Sequence, residues 1–243
     1  MRPAALLVAL AACGSPAVLP DAAMGSGSAD APAADTPQSV GFGDLSGMCG
    51  VLGATQLTEA TSETFRATIT FQRAYKDPDD RPLLTPGGQH LAMTPNAGGS
   101  SGLSEIFAYE ELARCEQATF LKSETEIVYS TPGKITDLEV TIGGHKIGVS
   151  VTRAVAYPFG STYTMAAATT LATKKLMDIQ TSTANVSAGD KWDKQILAVL
   201  AWDDAAADTF AAAVQAIDPG VRANTLVVIT TTAGDDTFIY SNM

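Results

Sequence analysis

The pattern of apolar and polar positions predicts strands and helices in alternation from residue 65 onward. Alternating runs rich in Thr, Val and Ile indicate strands with one buried face, and apolar residues spaced three and four apart indicate helices. Mostly apolar runs are typical of strands buried on both faces. The predicted strands are 65–75, 90–94, 118–130, 135–142, 145–153, 194–202, 224–232 and 236–240. The predicted helices are 102–115, 163–182 and 205–217.

The clearest local element is a hairpin of strands 135–142 and 145–153, which meet at Gly143-Gly144. A two-residue turn at this glycine pair places Asp137 directly opposite Ser150. One face of the hairpin is then wholly apolar, and the other face carries the polar side chains. The apolar face comprises Leu138, Val140, Ile142, Ile147, Val149 and Val151, and the polar face comprises Asp137, Glu139, Thr141, Gly148, Ser150 and Thr152.

The element order from about residue 96 to 232 is helix, three strands, helix, strand. This order resembles that of the PD-(D/E)xK nuclease-like superfamily. The resemblance implies an α/β fold of the α+β type with a mixed sheet. It also implies an αβββαβ core like that of restriction endonucleases, with an N-terminal β extension at 65–94. The sequence leaves open whether this extension joins the central sheet or forms a separate layer.

The same resemblance implies a metal-dependent site. In that superfamily an acid on the second strand, an acid-x-lysine on the third and often a glutamate on the first helix bind Mg²⁺ and activate water. Asp137 and Glu105 match the first and last of these positions, so Mg²⁺ or Mn²⁺ would bind them. The third strand departs from the pattern, because Ser150 and Thr152 replace the acid and the lysine. Lys175 on the second helix would then supply the cation.

Several alternatives to these assignments stay open. Lys174 could replace Lys175, and Glu124 or Glu126 on the first strand could replace the missing acid. The ordinary interpretations are a solvated aspartate at Asp137, a solvated helix face at the two lysines and a helix-dipole partner at Glu105.

The N-terminus resembles a bacterial lipoprotein signal. Arg2 precedes an apolar stretch at 4–12, which is too short to span a bilayer, and the stretch ends in Leu-Ala-Ala before Cys13. This lipobox implies cleavage before Cys13 and lipid attachment to its sulfur, unless the cysteine follows an ordinary signal by chance. The organisation predicted is a signal peptide at 1–12, a lipidated disordered tether at 13–40 and one globular domain at 41–243.

The predicted location is the bacterial cell envelope, with the membrane bound through the lipid on Cys13. Gly14 stands where an inner-membrane retention signal would carry aspartate, so the outer membrane is the expected destination. Cys49 and Cys115 form an even pair for an oxidising compartment, and we expect a disulfide rather than two buried thiols. Two histidines far apart in the sequence argue against a zinc site.

Two functions fit these observations. The favoured one is an envelope lipoprotein with a divergent, non-catalytic domain, since the acid-x-lysine is missing and the net charge of −11 disfavours nucleic acid. The alternative is an active metal-dependent phosphodiesterase or nuclease that uses Glu105 and Asp137. The sequence identifies no protein partner and no substrate.

Overall fold

A computed structural model describes residues 41–95 and 101–241 of the chain. Within these residues one mixed sheet has the strand order β1-β2-β7-β6-β5-β4-β3. The strands are β1 Asp44–Gly47, β2 Thr64–Phe71, β3 Thr119–Ser123, β4 Leu138–Ile142, β5 His145–Ala154, β6 Lys194–Ala201 and β7 Leu226–Gly234. The helices are α1 Ala54–Thr58, α2 Pro86–Met93, α3 Gly102–Cys115, α4 Met165–Asn185, α5 Asp204–Ala216, α6 Pro219–Arg222 and α7 Thr237–Tyr240. Cys13 and the predicted tether lie outside the described residues.

The centre of the sheet is parallel, with β2, β7, β6 and β5 side by side. Every residue of β6 is buried, as expected for a strand that helices cover on both faces. The outer strands β1, β4 and β3 run antiparallel to their inner neighbours. The fold is therefore mixed α/β. Strand β2, which belongs to the predicted N-terminal extension, joins the central sheet beside β7.

The two faces of the sheet carry separate hydrophobic cores. On one face α3 packs Phe107 and Leu112 against the apolar side of the β4–β5 hairpin. On the other face α4 and α5 bury small and aromatic residues, among them Ala172 and Phe210. These small residues let both helices lie close to the sheet.

The β4–β5 hairpin has the predicted register. Leu138 pairs with Val149, and Ile142 pairs with His145 at the turn. Gly143 and Gly144 have φ values of 57° and 85°, which a two-residue turn of this kind requires. All six residues of the predicted apolar face are buried in the core beneath α3.

The predicted strand at 90–94 is wrong, because these residues belong to α2 and the turn after it. Thr85 caps this helix by accepting a hydrogen bond from the Gly88 amide, and Pro86 stands at its first position. A Cβ on Gly87 would lie 2.2 Å from the Tyr109 hydroxyl, so the glycine permits close packing on α3. Pro86 and the two glycines after it therefore form the start of a helix.

Two further predicted strands differ in the structure. Residues 237–240 form the short helix α7, whose Ile239 and Tyr240 enter the core beneath α3. The strand predicted at 118–130 ends at Ser123, and Tyr129 forms only an isolated bridge with Val186. The short elements β1, α1 and α6 carry too weak a pattern to be predicted.

The start of the domain is fastened to the end of α3. Cys49 and Cys115 form the expected disulfide, with their Cα atoms 4.6 Å apart. Glu116 accepts hydrogen bonds from the amides of residues 50–52 at 2.8–3.3 Å. Arg114 donates to the carbonyls of Phe42 and Gly43 at 3.2 and 2.8 Å. Three consecutive residues at the C-terminal end of α3, Arg114 to Glu116, thus bind both ends of the 42–52 segment.

In the described part of the chain, no helix combines the length and the apolar character needed to cross a bilayer.

Candidate functional site

Three of the predicted site residues meet at the main chain of Val151. Strand β5 continues beyond the paired part of β4, so Val151 has no main-chain partner on that side. Oδ2 of Asp137 accepts from the Val151 amide at 2.6 Å and from the Ser150 hydroxyl at 3.1 Å. Nζ of Lys175 donates to the Val151 carbonyl at 2.7 Å. The acid and the lysine thus extend the hydrogen bonding of β5 past the end of β4.

This arrangement has the position of a nuclease-like site but different chemistry. Ser150 is 5% exposed, and its neutral hydroxyl cannot offer the charge that a carboxylate gives a hard cation. One oxygen of Asp137 already receives two donors, and Lys175 is directed at a carbonyl. The local geometry therefore supports strand pairing more directly than metal binding.

The neighbouring candidates are engaged elsewhere. Arg153 points to the opposite face, as the alternation predicts, and donates to the Ile239 carbonyl at 3.1 Å. Lys174 is exposed and pairs with Asp178 one turn along α4, at 2.7 Å. Thr152 is half-buried on β5.

Glu105 lies on the other side of the sheet from Asp137. It belongs to α3, which packs on the apolar face of the hairpin, whereas α4 covers the face with Asp137 and Ser150. Glu105 lines a cavity of about 290 Å³ together with Tyr75, Leu91 and Glu124. The structure thus places Glu105 and Glu124 on the same cavity, and it does not place Glu105 beside Asp137. Glu126, the other replacement acid, accepts from the main chain and hydroxyl of Ser123 at 2.9 Å.

A buried acid that the sequence reasoning did not select lies next to Asp137 on the polar face. Glu139 is 1% exposed, and its Oε1 lies 3.1 Å from Nζ of Lys146 without a well-directed hydrogen bond. Burial raises the pKa of Glu139, although the Lys146 charge opposes this shift. Lys122, opposite Glu139 on β3, extends the network by pairing with Asp190 at 2.6 Å.

The alternation of the hairpin already placed Glu139 on the polar face. The same alternation places Lys146 on the polar face. Lys122 and Asp190 could not be found in this way, because Lys122 depends on an irregular register and Asp190 lies in a loop.

Within residues 41–95 and 101–241, no three His, Cys, Asp or Glu side chains form a group that could hold a metal ion. Metal binding at Glu105 and Asp137 stays a prediction, and the two residues do not share a face of the sheet.

No protein-family model matches the chain, and no solved structure matches it significantly. The chain is similar to the AAC-rich mRNA clone AAC4 protein of Dictyostelium discoideum, with 39% identity over 153 residues. This match covers 60% of the chain and 22% of that protein, so the chain spans about a fifth of its relative. The relative is eukaryotic, and the similarity therefore lends no support to a bacterial source.

Proposed function

We propose that the chain is an exported lipoprotein, anchored through Cys13, whose globular domain is a divergent and non-catalytic member of the PD-(D/E)xK-like fold. The lipobox-like leader supports the anchor. The Cys49–Cys115 disulfide supports export, since disulfides persist in oxidising compartments and are rare in the cytosol. The acidic net charge of −11 favours partners other than nucleic acid.

The arrangement at Val151 is the observation that carries the non-catalytic assignment. Asp137 and Lys175 would be the most important catalytic groups of a nuclease, and here both bind the main chain of β5. The third strand offers Ser150 in place of an acid, and Glu105 lies on the opposite face. The main chain of Val151 thus has one carboxylate and a buried serine beside it, and the neighbouring carboxylate of Glu139 lies 3.1 Å from the Lys146 ammonium. These groups offer too few oxygen ligands of the right charge for Mg²⁺.

Support for the nuclease-like core comes from the order of elements. Helix α3, strands β3, β4 and β5, helix α4 and strand β6 follow one another along the chain. Strands β3 to β6 are also neighbours in the sheet in that order. The core has the element order that the resemblance requires, while fold alone does not determine activity.

Calorimetric titration of Mn²⁺ and Mg²⁺ into the purified chain tests the proposal, together with nuclease assays on single- and double-stranded substrates. We expect no saturable binding and no turnover. The Asp137→Asn variant is the matched control, since its amide oxygen can still accept the Val151 amide. Metal-dependent turnover that Asp137→Asn abolishes would instead establish the active phosphodiesterase that uses Glu105 and Asp137.

A further inference from the structure

Exposed aromatic side chains lie together at the carboxyl ends of β5 and β6. Tyr157 and Phe159, in the segment between β5 and α4, are 57% and 40% exposed. Their ring centroids are 4.9 Å apart, and Phe159 also stacks on Trp202, the residue after β6, at 4.8 Å. Met165 at the start of α4 is 48% exposed as well. Large apolar groups that are exposed together mark contact surfaces, whereas single ones need no explanation.

The segment that carries these side chains is uncharged. No Asp, Glu, Lys or Arg occurs between Arg153 and Lys174, and residues 157–162 are all exposed. Contact with lipid would therefore remove no charged group of this segment from water, which is the largest cost of such a contact. The Tyr157 hydroxyl already donates to the Tyr240 carbonyl at 2.6 Å, so it would stay paired. Tyrosine is also enriched where membranes meet water.

The chain enters the domain at this same end of the sheet. Strands β2, β7, β6 and β5 are parallel, so their carboxyl ends form one edge. Strand β1 starts at Asp44, which pairs with Thr70 near the carboxyl end of β2. The described chain begins at Gly41, just before β1, and β1 is four strand spacings or about 20 Å from β5. An anchor upstream of Gly41 therefore favours an approach of this edge to the membrane.

The surroundings of the aromatic side chains select the kind of lipid surface. Asp203 and Asp204 after β6 and Asp235 after β7 are exposed acids at the same edge. They repel anionic headgroups, so lipids without net charge fit better. An anchor also keeps the membrane at a high effective concentration, so that a contact too weak to hold the free chain can form in the anchored one.

We propose that the segment 155–165 is a membrane contact, in which Tyr157 and Phe159 enter the interfacial region of a lipid surface without net charge. The inference rests on the proposed anchor at Cys13, because the anchor supplies the nearby membrane. It gives the domain an orientation, with the carboxyl ends of the parallel strands towards the lipid.

The two tryptophans report on opposite ends of β6. Trp202 follows this strand, whereas the buried Trp192 precedes it. Trp192→Phe and Trp202→Phe therefore leave one reporter at either end. Of the three cysteines, only Cys13 is outside the disulfide, so the purified chain can be coupled through it to a maleimide lipid in phosphatidylcholine vesicles. This coupling anchors the chain whether or not a cell attaches lipid, so failure of the membrane contact and failure of the lipobox assignment are distinguishable.

We expect brominated lipid in these vesicles to quench Trp202 and to leave Trp192 unquenched. A Tyr157→Ser, Phe159→Ser double variant should lower the equilibrium constant of the contact about tenfold, because two aromatic side chains no longer leave water. Val128→Ser is the matched control and should leave the quenching unchanged. Val128 is also 57% exposed, but it lies at the Trp192 end of the sheet.

Hydrogen exchange of the unaltered chain makes the same comparison without tryptophan variants. Amides of 155–165 should exchange more slowly on the vesicles, and those of 186–192 should not change. Equal quenching of both tryptophans, quenching of neither, or equal quenching in the double variant and its parent would overturn the proposal. A dimer in ultracentrifugation that the double variant abolishes would also overturn it, because the aromatic side chains would then bind a second copy of the chain.

Discussion

At the residue scale, Asp137 shows how a strand can be completed by a side chain instead of by another main chain. Its carboxylate takes the hydrogen bond of the Val151 amide where β4 no longer reaches β5. The sequence predicted that Asp137 faces Ser150, because alternation and the glycine turn fix the register. It could not predict that the acid bonds to the Val151 amide, since that depends on where β4 ends.

Removing this acceptor should destabilise the domain. Asp137→Ala leaves the Val151 amide without a partner in a region that is almost fully buried, at a cost of about 2 kcal/mol. Asp137→Asn keeps an acceptor oxygen and should cost less than about 1 kcal/mol. Urea unfolding followed by circular dichroism measures both values. Equal losses in the two variants would contradict a role as a main-chain acceptor.

Glu111 on α3 should make the stability of the domain depend on pH. It is 2% exposed, and burial together with the nearby Glu116 charge raises its pKa from 4.5 to about 8. The unfolded chain releases this proton at lower pH than the folded chain does. The contribution of Glu111 to stability is therefore fully present below pH 4.5 and is lost as the pH rises towards 8.

Glu111→Gln should remove this part of the pH dependence. We expect the variant to lose less stability than the unaltered chain between pH 4.5 and 8, and to have the higher melting temperature at pH 8. Thermal unfolding at a series of pH values provides the comparison. Glu59→Gln, at an exposed position, is the control and should follow the unaltered chain. Parallel curves for Glu111→Gln and the control would rule out a buried, proton-binding Glu111.

At the scale of elements, the sequence predicted best where the pattern is local. The β4–β5 hairpin combines strict alternation with a glycine pair, so its strands, turn and register follow from neighbouring residues. Helix α2 and helix α7 were missed because their short apolar pattern fits both a strand and a helix. Contacts with α3 decide between the two, and such contacts cannot be read from five or six residues.

The attachment of the 42–52 segment to α3 should contribute several kcal/mol to the stability of the domain, about as much as its disulfide supplies. The disulfide closes a loop with a sequence separation of 66, for which chain entropy predicts about 4 kcal/mol of stabilisation. A Cys49→Ser, Cys115→Ser double variant should lose stability of that order in urea unfolding, and the reductant-treated chain should match it. The hydrogen bonds from Arg114 and Glu116 would hold the segment in part. No change on reduction would mean that these bonds suffice.

At the scale of the whole molecule, the lipid anchor and the folding of the domain can be tested separately. If Cys13 carries lipid, the chain expressed in a bacterial host should incorporate labelled palmitate and sediment with the envelope. Cys13→Ser should abolish the label and release the chain, because acyl chains supply the membrane affinity. Circular dichroism of the Cys13→Ser chain should still show the folded domain. Label retained on the Ser variant would exclude the lipobox assignment.

The sequence by itself determined the local and compositional features of this protein. The hairpin register, the buried β6 and β7, the helices α3, α4 and α5 and the cysteine pair all follow from periodicity or residue type, which short-range physics fixes. Only the tertiary structure decided which elements are neighbours. It set β2 beside β7 and separated Glu105 from Asp137 across the sheet. These outcomes depend on how the helices distribute over the two faces, and residues distant in sequence determine that distribution by their packing.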